Sequence, residues 1–131
     1  MHNPPVTARA SIGLLAGVLT LSGSLAGCGA DTDDRPAKWS FIAATIVEPT
    51  CATASCHSEI VRRADVDLHE RNVGYRILTT RNFVRPGNPG ASTIITLMEG
   101  KGSLRMPPDF ALPDADVELI ARWITDGATN E

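Results

Sequence analysis

The sequence predicts an all-α fold of four to five short helices. Three observations carry this expectation. Apolar residues recur at the i, i+3, i+4, i+7 spacing of one helix face in separate stretches. Proline and glycine punctuate the chain at the ends of those stretches. No stretch makes a convincing strand, which would need a period-two alternation.

The first helix is expected from about Trp39 to Val47. Trp39, Ile42, Ala43 and Ile46 form its apolar face, and Pro49 is expected to stop it. Val66 and Leu68 come before a second, short helix from about Glu70 to Thr79, which rests on Val73, Tyr75, Ile77 and Leu78. Residues 84–89 read as a loop leading into a third helix, with Asn88 as N-cap and Pro89 at the first helical position. Ile94, Ile95, Leu97 and Met98 then face a core, and Gly100 and Gly102 end the helix. In the next segment Pro107 and Pro108 enforce an extended, stiff backbone directly after Met106.

The last helix spans about Asp114 to Asp126. Its apolar face is Val117, Ile120, Ala121 and Ile124. Asp114, Asp116 and Glu118 lie in its first turn, where the helix dipole favours negative charge, and Gly127 closes it. The first and last helices each carry a tryptophan, Trp39 and Trp123, so the two are expected to pack together.

The N-terminal stretch reads as a targeting segment. Arg9 is its one charged side chain, and an apolar run from Ile12 to Leu25 has the length of a secretory h-region, too short for a stable span. The run ends in Leu25-Ala26-Gly27-Cys28, which looks like a bacterial lipobox with Cys28 as the lipidated first residue of the mature chain. The competing reading is an ordinary signal peptide cut nearby. Either way the chain leaves the cytoplasm. The expected organisation is a lipoprotein signal peptide over 1–27, a flexible polar tether over 28–38, and one domain over 39–131. Gly29 follows Cys28 in place of the aspartate that commonly retains lipoproteins at the inner membrane. The expected location is therefore the cell envelope, facing the periplasm, at the outer membrane rather than the inner.

The full chain has 12 basic and 15 acidic residues, and loss of Arg9 with the leader leaves a net charge of −4. A mildly acidic domain offers no electrostatic footprint for nucleic acid or an anionic membrane surface. Membrane attachment would come from the lipid on Cys28.

The chemistry concentrates in Cys51-Ala-Thr-Ala-Ser-Cys56-His57. Covalent haem attachment needs two thiols to add across the vinyl groups and an adjacent imidazole to bind the iron, for which the tight signature is C-x-x-C-H. Here four residues separate the cysteines, all of them small. In an oxidising compartment the same pair has a second fate, a Cys51–Cys56 disulfide with His57 left at the surface. A zinc site lacks a fourth ligand.

Met106 is the candidate on the opposite side of the iron. A thioether is a soft ligand, Met/His ligation raises the haem potential, and the prolines lower the entropy cost of holding the sulfur in place. By itself a methionine is more often core. Met98, at a helical core position, and His69, which would give bis-histidine ligation, are the fallback ligands. No G-x-S-x-G, phosphate-cradling glycine loop or H-E-x-x-H occurs, so no enzyme activity is expected.

Four pieces in this order resemble the planctomycete-type cytochrome c domains, relatives of class I cytochromes c. They are the Cys56-His57 segment, Arg85-Pro86-Gly87-Asn88-Pro89-Gly90-Ala91-Ser92, Arg105-Met106-Pro107-Pro108, and Trp123-Ile124-Thr125-Asp126-Gly127-Ala128. The likeness covers about residues 41–128. It implies an all-α fold wrapped around one covalently attached haem c, with thioethers at Cys51 and Cys56, His57 as proximal ligand and Met106 as distal ligand. The four-residue gap departs from the family pattern. The expected function is a lipid-anchored monohaem cytochrome that carries single electrons to redox partner proteins of the envelope. The alternatives are a haem-free, disulfide-stabilised envelope lipoprotein and an open-site haem sensor.

Overall fold

The computed structural model describes residues 33–100 and 104–131; the leader, Cys28 and residues 29–32 lie outside the described residues, as do 101–103. The described chain is all-α. Its four helices are α1 (39–50), α2 (Arg71–Thr80), α3 (Thr93–Glu99) and α4 (Asp114–Thr125), with 3-10 turns at Arg63–Asp65 and Pro89–Ala91 and no strand among the described residues.

Helix α1 runs past the expected stop. It begins as an α-helix over Trp39–Ile42, widens to a π turn over Ala43–Val47, and returns to α over Glu48–Thr50, with Pro49 inside it. A proline ring strikes the carbonyl one turn back and offers no N–H. A wider turn just ahead of it relieves both problems. The Val47 carbonyl then accepts from both Cys51 (2.8 Å) and Ala52 (3.0 Å), so Cys51 becomes the C-cap of the helix. The first thiol therefore hangs from the end of a buried helix.

Helix α2 forms as expected, with the Glu70 carboxylate capping the N–H groups of Asn72 and Val73 at 3.0 and 2.9 Å. The expected third helix is split. Asn88 does cap, accepting from Ala91 N–H, but Pro89–Ala91 is one 3-10 turn, and α3 begins only after Ser92, whose backbone is extended. Ser92 is fully buried, and its hydroxyl accepts from Arg85 N–H and donates to the Asn88 carbonyl, both at 2.9 Å. The break satisfies backbone groups that a continuous helix would leave unpaired.

The core joins the chain ends. Trp39 and Trp123 stack at 5.1 Å, and Tyr75 sits tilted against Trp39 at 6.1 Å and edge-on to Trp123 at 6.4 Å. Each polar tip is satisfied: Trp39 donates to the Arg71 carbonyl, Trp123 to Thr129 and Tyr75 to Ala128. Ile42, Leu119 and Ile124 fill the remainder with no measurable exposure. Gly127, at φ +100°, turns the chain so that Ala128 N–H returns to the Trp123 carbonyl. The terminal helices thus clamp the long segment between α1 and α2, which carries Cys51, Cys56 and His57.

Residues 33–38 differ from the flexible tether expected over 28–38. They lie fixed against α4 through ion pairs of Arg35 and Arg122 with Asp33 and of Arg35 with Asp116.

Candidate functional site

The site is built on the irregular segment between α1 and α2, held by its own backbone. His57 N–H donates to the Cys51 carbonyl (3.1 Å), Leu68 N–H to the His57 carbonyl (2.8 Å) and Arg63 N–H to the Cys56 carbonyl (3.1 Å). Val66 and Leu68, buried in an extended stretch, pin its far end to the core.

His57 is half-buried, and its Nδ1 lies 3.3 Å from the Val66 carbonyl oxygen. A carbonyl only accepts, so in this hydrogen bond Nδ1 donates, which in the neutral ring leaves the lone pair on Nε2. A histidine that binds a metal through one nitrogen usually donates from the other to a carbonyl, which fixes the ring and raises its basicity.

The two cysteines are free thiols in unlike surroundings. Burial pushes the Cys51 thiol up, against a smaller opposing effect from Thr50. Cys56 is lowered, first by hydrogen bonding from Thr53 and Ser55, with a smaller contribution from the Arg63 charge.

Two cavities bring these groups together with the downstream loop. The outer one, about 280 Å³, is lined by Cys51, Cys56 and His57 together with Met106, Pro107 and Pro108. The inner one, about 140 Å³, has almost wholly apolar walls and shares Cys51, His57 and Met106 with the outer; Met98, Leu78 and Ile120 are among its other walls. The outer cavity approaches the lower end of the ~300–1,000 Å³ typical of small-molecule sites. The Met106 loop is tied to α3 and braced internally. Met106 N–H donates to the Leu97 carbonyl (2.9 Å), and the Arg105 guanidinium donates to the carbonyls of Pro107 and Pro108, each at 3.3 Å.

The four sequence-predicted site residues, Cys51, Cys56, His57 and Met106, all line the outer cavity. Of the fallback ligands, Met98 is 7% exposed and lines the inner cavity, whereas His69 is exposed and lines neither. Cys28 lies outside the described residues. Among the described residues, no three of His, Cys, Asp and Glu gather as a group able to hold a metal ion.

Ala64 and Arg63 were not legible in the sequence. Ala64 lines both cavities and Arg63 the outer one. Ala64 sits at φ +55°, with Arg62 at +43° and Asp65 at +59°, three left-handed, non-glycine residues within one short turn. Arg81 holds this turn by donating to the carbonyls of Asp65 (2.8 Å) and Ala64 (3.5 Å). Left-handed alanine costs on the order of 1 kcal/mol, and nothing in the local sequence marks it; the fixed cavity wall accounts for it.

No family model, no curated protein and no solved structure matches this chain.

The donor set suits a covalently attached haem. Two thiols, an imidazole whose Nδ1 meets a backbone carbonyl, and a thioether line one cavity that adjoins an apolar one, the donor types such a group would need.

Proposed function

We propose that this chain is a lipid-anchored monohaem c-type cytochrome that carries single electrons in the cell envelope, facing the periplasm, and catalyses no bond chemistry of its own. One observation carries the reading: Cys51, Cys56, His57 and Met106, chosen for their chemistry from distant parts of the sequence, line one cavity. When bound, haem supplies a one-electron iron couple. The chain's own residues do the rest. Cys51 and Cys56 would each add a thiol S–H across a vinyl double bond, releasing nothing. His57 would bind through Nε2, its ring held by the Val66 carbonyl. Met106 would offer its sulfur from a loop stiffened by Pro107, Pro108 and the Arg105 guanidinium. The apolar inner walls keep water out, which favours the less charged ferrous state. Redox partner proteins of the envelope would take up and supply the electrons.

Expression with a functional haem-attachment system tests this. The expected result is a Soret band and a 51–57 peptide that carries one haem. A chain without a Soret band, with a mass two hydrogens short and a Cys51–Cys56 bridge, would sink the cytochrome reading and establish the disulfide-stabilised module instead. A high-spin ferric spectrum with ready carbon monoxide binding would replace the electron carrier with an open-site sensor.

A further inference from the structure

Residues 33–38 are tied to the last helix by a network with no part in the cavity. Arg35 reaches three ways. Nε and Nη2 each donate to the Asp33 carboxylate at 2.9 Å, Nη1 donates to Asp116 at 2.5 Å, and Nη2 also donates to the Ala115 carbonyl at 2.9 Å. Arg122, from the last turn of α4, grips the same strand of chain from the other side. It donates to the Asp33 carbonyl (2.7 Å) and the Arg35 carbonyl (3.2 Å), and pairs with the Asp33 carboxylate at 3.3 Å. The segment then runs through Pro36, and Ser40 N–H meets the Glu131 carbonyl at 2.7 Å.

An isolated surface ion pair holds little. Here two arginines and two aspartates share a network whose carboxylates are 22% and 20% exposed, and they also grip three backbone carbonyls. A linker whose task is reach has no use for such contacts. Their effect is to fix where the chain leaves the domain.

We propose that residues 33–38 form a strap that fixes the N-terminal exit point on α4 and holds the domain close to the membrane carrying the lipid on Cys28, an inference that rests on the lipid-anchor reading. Only residues 29–32 then separate Cys28 from the strap, so the anchor reaches at most about 17 Å at ~3.5 Å per residue. A free segment up to Trp39 would reach roughly 20 Å further.

The test uses the full-length chain made in cells that attach lipid, placed on phosphatidylcholine bilayers, with the height of the protein layer read by neutron reflectometry. The comparison is R35Q/R122Q, with D116N as a milder second variant. In the wild type the layer is expected within about 17 Å of the bilayer, and in the double variant it rises and broadens by up to about 20 Å. Endoproteinase Asp-N gives a second readout at the Asp33–Asp34 bond, where the double variant should be cut at least tenfold faster than wild type while its melting curve still shows a folded domain. Equal heights and equal cleavage rates overturn the strap. An N-terminal mass without lipid on Cys28 overturns the membrane stand-off together with the anchor reading, whereas the cleavage comparison still judges the strap by itself.

Discussion

Met106 and Met98 both reach the inner cavity, and truncating each to alanine separates ligand from core. Met98 is 7% exposed and belongs to the buried cluster. Its removal enlarges a cavity that already measures about 140 Å³. A buried Met→Ala costs about 2–5 kcal/mol, and the existing void places this one near ~3. Met106 is 40% exposed. Full burial of such a side chain is worth about 1.5–3 kcal/mol, so its partly covered surface supports only about 1. In the haem-free chain, urea unfolding should therefore show M98A losing about three times as much stability as M106A. In the haem-loaded chain the order reverses for function. M106A should lose the sulfur-to-iron charge-transfer band and drop the potential, whereas M98A keeps both. An M106A variant that keeps the band with haem would refute the assignment of Met106 as ligand, and one that loses ~3 kcal/mol without haem would refute the burial argument.

Other expectations follow from the same geometry. In haem-free protein near neutral pH, iodoacetamide should label Cys56 before Cys51, because burial raises the thiol of Cys51 while Thr53 and Ser55 lower that of Cys56; peptide mass spectra report the order, and prior labelling of Cys51 would contradict it. Hydrogen bonding from Arg35 draws the Asp33 carboxyl from 3.8 down to about 2. Its contribution to the strap is therefore complete above pH ~4 and fades as pH falls toward 2; backbone hydrogen exchange over residues 33–38, corrected for its intrinsic pH dependence, should quicken over that range, and D33N should abolish the change. Ser92→Ala leaves Arg85 N–H without its buried acceptor and should cost about 1–3 kcal/mol in thermal or urea unfolding.

The helices were legible because their causes are local. The spacing of Trp39, Ile42, Ala43 and Ile46 and that of Ile120 and Ile124 set which faces are buried, and all of these residues are. Glu70 and Asn88 cap because a short polar side chain reaches the N–H groups just ahead of it. The boundaries that differ from expectation have causes that composition does not mark. Pro49 stays helical because a π turn precedes it, and the third helix breaks at Ser92 because its hydroxyl finds the backbone of Arg85 and Asn88 in the folded chain. Residues 33–38 look like linker by composition; the partners that fix them lie more than 80 residues away in α4.

The helical period, the Asn88 cap and a donor inventory of two thiols, an imidazole and a thioether are readable in the chain, because they are properties of residue type and near neighbours. Long-range packing sets the rest: the four donors line one cavity, the Val66 carbonyl meets His57, Met98 shares the inner space while His69 lies outside it, and a left-handed Ala64 forms part of the wall. Each of those depends on which distant segments the Trp39–Trp123 clamp brings together, and packing of that kind leaves no periodic trace in the chain.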